Sequence, residues 1–189
     1  MKRALLLTTT LLNAQPAAPP PMIPATAPGA LPCDAVDHQP LLLGPTTREA
    51  ILAHRAVFRE ATAKTHLPAA LVARWQAVKQ PLTLVAVFGS WCSDSQHQLP
   101  ELLALEAHPN PFIEVHYLGV YRDKKVDPAA WPKGCASQNV ARVPTFYVFA
   151  TQPGGGQKLV GSIVERPPKP GQRMSEALVD LVERGALAF

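Results

Sequence analysis

Charge is scarce in this chain: 17% of its 189 residues are Asp, Glu, Lys or Arg, and the formal net charge is only +4. Lys2 and Arg3 are the sole charges before Asp34, so loss of the chain's start would leave +2. With aromatics at 6% and no basic face interleaved with them, the sequence argues against a nucleic-acid partner. Long apolar runs are missing as well. Beyond the first fifteen residues nothing approaches the roughly 18 to 20 apolar residues of a membrane span, so stable membrane insertion of the mature chain is not expected. The six histidines are scattered. No zinc-ligand spacing, Ser-His-Asp order or pair of catalytic carboxylates stands out, and neither a metal nor an organic cofactor is expected. Gly154 to Gly156 lack the strand-to-helix setting of a phosphate loop and suit a hairpin turn.

Proline, by contrast, is abundant, with 21 residues, many of them near the start. Met1 to Gln15 (MKRALLLTTTLLNAQ) has a dibasic start, a short apolar stretch and a small residue at Ala14. This pattern resembles a secretory signal over residues 1–14, which implies a periplasmic or secreted protein. Residues 15–32 (QPAAPPPMIPATAPGALP) hold too much proline for a helix and too little apolar bulk for a core, and are expected to form an extended linker. The apolar content of 47% is enough to fill one core behind it.

Residues 33–80 read as an N-terminal helical extension. Thr46 or Thr47 is placed to cap a helix carrying Ala50, Ala53, His54, Val57, Phe58 and Ala61 on one face, and a second helix is expected from Pro68 to Lys79. Residues 81–189 then alternate. Pro81 to Ser90 reads as a strand buried on both faces, Gln96 to Ala107 as a helix, and Phe112 to Val120, Thr145 to Ala150 and Lys158 to Val164 as three further strands. Met174, Ala177, Leu178, Leu181 and Val182 recur at helical spacing and mark an amphipathic closing helix. The order implies an α/β fold: a mixed central sheet with helices on both faces.

Among the three cysteines, Cys92 has the most informative setting. A buried strand that ends at Gly89 or Ser90 and runs into a helix puts Cys92 at the helix N-terminus. Unpaired N–H groups and the helix dipole there favour an anion and lower a thiol's pKa, which makes the sulfur a better nucleophile. Trp91 beside it is expected to form an apolar rim. Ser95, about one turn on, is placed to donate a hydrogen bond to the thiolate. Tyr121 to Asp127 (YRDKKVD) reads as a solvated, charge-rich loop in which Arg122 or Lys124 could touch a partner.

Trp91-Cys92-Ser93-Asp94-Ser95, Pro100 within the following helix, and Val143-Pro144-Thr145 directly before a strand resemble the thioredoxin superfamily, in particular bacterial thioredoxin-like proteins with a Trp-Cys-x-Asp-Ser site. The resemblance implies a thioredoxin-like mixed sheet, with Cys92 and Ser95 as catalytic residues. It further implies a cis Pro144 facing the cysteine, and a substrate groove lined by Trp91, Val143 and Pro144. Ser95 replaces the second cysteine of the usual dithiol, so the implied action is monothiol thiol-disulfide exchange or isomerisation on a protein or low-molecular-weight disulfide. An external thiol reductant such as glutathione would complete the cycle. The alternative is a binding module that holds an extended peptide beside Pro144 and makes no use of the sulfur. For the remaining thiols three arrangements stay open: a structural Cys33–Cys135 disulfide, Cys135 as a displaced resolving partner of Cys92, or no bond.

Overall fold

The computed structural model describes residues 31–187, so the expected leader and nearly all of the linker lie outside the described residues. The described chain is an α/β unit built on one five-stranded mixed sheet, with strands in the order β1-β3-β2-β4-β5. Its centre is β2 (Leu82–Phe88, LTLVAVF), in which every residue is buried. Such a continuous apolar run is what a strand covered on both faces requires. It pairs in parallel with β3 (Ile113–Gly119) and antiparallel with β4 (Thr145–Thr151). β4 turns back into β5 (Gln157–Val164), and β1 (Gly44–Thr46) lies antiparallel along the other side of β3.

The register fixes where chemistry can occur. Phe88 lies opposite Gly119, Val87 opposite Thr145, and Gly44 opposite Gly119. The exits of β2 and β3, the entry to β4 and the approach to β1 therefore all meet at one pole of the sheet. The segments carrying Cys92, Arg122, Pro144 and Asp34 converge there.

Five helices cover the sheet: α1 (Arg48–His54), α2 (Ala56–Lys64), α3 (Ala69–Ala77), α4 (Ser93–Glu106) and α5 (Met174–Ala186). Thr47 caps α1, its Oγ1 accepting the Ala50 N–H at 3.2 Å. The single helix expected beyond Thr47 is broken at Arg55, whose extended backbone ends α1 while its side chain donates to the Pro40 carbonyl. Residues 33–80 also contribute more than helices, since β1 is a strand of the main sheet and Ile51, Phe58, Leu71 and Trp75 enter the same core as β2.

Helices on both faces were expected, and here the structure differs. The core-forming buried side chains of all five helices join one cluster with Leu82, Leu84, Ala86 and Phe88, on one side of the sheet. Phe58 meets Phe88 edge to face, with ring centroids 6.2 Å apart. The opposite side, with Val85, Val87, Leu118, Tyr147 and Phe149, is closed by the link between β3 and β4. That link contains only a 3₁₀ turn at Pro128–Ala130, and Trp131 packs edge-on against both Tyr147 and Phe149. Pro128, Pro132 and Gly134 explain the missing helix, because proline removes the helical N–H and crowds the preceding turn.

Candidate functional site

Cys92 is the N-cap residue of α4, joined to β2 by Gly89-Ser90-Trp91. Its N–H donates to the Gly89 carbonyl at 3.0 Å, and its carbonyl accepts from the Gln96 N–H at 3.0 Å, so the strand-to-helix turn is fixed on both sides of the sulfur. The side chain is half-buried. Its thiol donates to the carbonyl of Val143 at 3.3 Å, and the next peptide, Val143–Pro144, is cis. Pro144 is held in turn: its carbonyl accepts the Glu165 N–H at 2.7 Å, while Arg142 pairs with Glu165 at 2.9 Å. Among the described residues no group accepts the Val143 N–H.

Trp91 stands beside the sulfur with its Nε1–H donating to the Val120 carbonyl at 3.0 Å. The Arg122 guanidinium lies 4.6 Å from the ring centroid. Gly89 is needed for this packing, because a Cβ there would come within 2.7 Å of the indole. Ser90 is fully buried, its hydroxyl accepting the Leu42 N–H at 3.2 Å, which seats the N-terminal segment on the same turn.

Ser95 does not act as expected. It is fully buried, and its hydroxyl accepts the Gly89 N–H at 3.2 Å rather than reaching the thiol. Its task is to hold the turn that presents Cys92.

The other cysteines occupy opposite ends of the sheet, and all three are free thiols. Gly134 packs against Gln157, which pairs with Thr151 at the start of the β5 ladder, and Cys135 feels Glu114, opposite Thr83. From that level to Gly89 the strand rises about 20 Å at roughly 3.3 Å per residue. A disulfide needs Cα atoms within about 7 Å, so Cys135 is not placed to resolve Cys92. Burial, with Glu114, pushes the Cys135 thiol up to about 11, away from a nucleophile's range. Cys33 is exposed at the Cys92 pole, bridged to Pro40 and adjacent to Asp34. A Cys33–Cys135 disulfide, one of the three open arrangements, would therefore have to span the sheet.

Asp34 is the functional-site residue that sequence reasoning missed. Its side chain is inaccessible, and both carboxylate oxygens accept from Arg122, at 2.9 Å to Oδ2 and 3.1 Å to Oδ1. The Val36 and Asp37 N–H groups also donate to Oδ1. Burial alone would raise this carboxyl; Arg122 and the two N–H donors outweigh it and hold it below its ordinary value of 3.8. A depressed carboxyl stabilises the fold above its unfolded value and loses that contribution as pH falls through the folded one. Asp34→Asn should therefore be less stable than the parent at neutral pH. The difference should shrink below about pH 3.8, as followed by urea unfolding across the acid range. A constant difference down to pH 2 would contradict the ion pair.

Among the described residues no group of three or more His, Cys, Asp or Glu side chains is arranged to hold a metal ion. No protein-family model matches the chain, and no curated protein does. Two solved structures are similar in chain path. A protein of unknown function from Pseudomonas aeruginosa is 22% identical, with 74% of this chain and 84% of its own covered and a TM-score of 0.46. An HIV epitope scaffold is 21% identical, with 72% and 89% covered and a TM-score of 0.51. The likeness to the scaffold is one of fold alone.

Proposed function

We propose that this chain is an exported thioredoxin-fold protein that carries out thiol-disulfide exchange or isomerisation through the single sulfur of Cys92. The observation that carries the reading is the contact between the Cys92 thiol and the carbonyl of the residue preceding a cis proline. Cys92 attacks a disulfide of a protein or low-molecular-weight partner, forms a mixed disulfide and releases one thiol. An external thiol then attacks the mixed disulfide and restores Cys92, so atoms and electrons balance without a second cysteine in the chain. Ionisation of the sulfur removes the donor that occupies the Val143 carbonyl. That carbonyl, together with the unpartnered Val143 N–H, then offers a backbone edge to an extended substrate. The same edge supports the alternative of a peptide-binding module.

The test is exposure to oxidised glutathione followed by mass mapping. The parent should carry the adduct on Cys92, and Cys92→Ser should carry none at the corresponding site and show no exchange with a peptide disulfide. Equal exchange by both proteins would remove the thiol reading. Unchanged peptide affinity in Cys92→Ser, together with an unreactive parent thiol, would establish the binding module instead.

A further inference from the structure

We infer that Arg122, clamped by Asp34, is a positioning residue for Cys92, so the N-terminal segment approaching β1 is a working part of the site. This deepens the thiol reading above and rests on it for its meaning. The connection runs through four side chains. Asp34 binds Arg122 through three N–H···O contacts, Arg122 lies over the Trp91 ring, and Trp91 is the residue before Cys92.

Each link is held by something other than the next. Asp34 sits in a tight hairpin: its N–H donates to the Gln39 carbonyl at 2.8 Å, its carbonyl accepts the His38 N–H at 3.0 Å, and the Leu41 N–H donates to the Pro32 carbonyl at 2.7 Å. That hairpin is seated on the catalytic turn by the Leu42 to Ser90 bond. Trp91 is fixed at its edge by Val120 and beneath its ring by Gly89, and Arg122 covers it in turn. An arginine in a charge-rich loop has many rotamers, and forked binding to a buried carboxylate selects one of them. The cation then holds the indole by electrostatic attraction to the ring face.

A rim held in this way matters differently for different reagents. A small neutral alkylating agent reaches the sulfur past a loosened indole as well as past a fixed one, or better. A peptide disulfide needs the indole in place to dock, so its exchange suffers. The expected signature is therefore a split between the two reactions, which general destabilisation would not produce.

The experiment compares Asp34→Asn, Arg122→Ala and Arg122→Lys with the parent by tryptophan emission, iodoacetamide alkylation of Cys92 and exchange with a peptide disulfide. A Trp91→Phe background identifies the emission of Trp91. Arg122→Ala should shift Trp91 emission to longer wavelength and weaken peptide-disulfide exchange about three- to tenfold, mainly in KM, without slowing alkylation. Asp34→Asn should reproduce this although it touches neither Trp91 nor Cys92, and Arg122→Lys should recover part of the loss by keeping a cation near the ring. Folded Asp34→Asn and Arg122→Ala proteins with parental emission and parental exchange would overturn the inference. If Asp34→Asn fails to fold, Arg122→Ala and Arg122→Lys carry the test, and parental emission with parental exchange in both would overturn the inference. A parent without any exchange would refute the thiol reading, and the emission shifts would still decide whether Arg122 positions Trp91.

Discussion

Replacing Trp75 by alanine will lower the unfolding free energy by about 3 to 5 kcal/mol, the range for removing a large buried aromatic side chain. Trp75 heads the fully buried side chains by volume and is 1% exposed. It joins α3 to the turn between α4 and β3: its Nε1–H donates to the His108 carbonyl at 2.9 Å, and its own carbonyl accepts from Asn110 at 2.7 Å. Alanine leaves both a void and an unpaired carbonyl, and α3 loses its main hold on the sheet layer. Urea unfolding should show a lower midpoint with an unchanged slope. A loss below about 1 kcal/mol would mean that α3 lies outside the cooperative core, contrary to its burial.

Gly119→Ala is expected to cost about 2 to 3 kcal/mol, at the upper end for overpacking. A Cβ at Gly119 would lie 2.2 Å from the Leu42 carbonyl oxygen and 2.7 Å from its carbon. These are backbone atoms, so no side-chain rotation relieves the clash. The segment leading into β1 must lift from β3, taking with it the Leu42 to Ser90 bond and weakening the seat of Asp34. Limited proteolysis should then cut within residues 31–46 while the helical layer stays resistant. Parental stability together with a parental cleavage pattern would show that the clash is absorbed elsewhere.

Strands β2 to β4 were legible as largely apolar runs bounded by turn residues and β5 by its place after the Gly154–Gly156 turn, and the observed limits differ from the expected ones by a few residues at most. Strand β1 was not, since Gly44-Pro45-Thr46 has no β-branched run; it lies along β3 after Leu42, which packs closely over Gly119. The setting of Cys92 at a helix start was readable from local pattern alone, because strand, turn and helix follow one another in the chain. The position of Cys135 was not. Nine residues before Pro144 suggests nearness to the site, yet the link first runs down the sheet to Glu114 and returns past Tyr147, whose hydroxyl donates to the Asn139 carbonyl. Asp34 and Arg122 are 88 residues apart, and only the fold brings them together. Ser95 was assigned to the thiol by helical spacing, whereas its hydroxyl is buried against the strand-to-helix turn, where it accepts the Gly89 N–H.

With all five helices of the described residues on one side, the sheet has a thick cover and a thin one, and the two should come away at different free energies. The thin cover holds by Trp131 and a few aliphatic contacts, with few ladder bonds of its own, so it can peel back in a sub-global fluctuation while the helical layer stays intact. Amide protons between residues 121 and 143 should then trade with deuterium well ahead of those in α4 and α5. Cys135, half-buried in the resting state, becomes a built-in clock for that peeling.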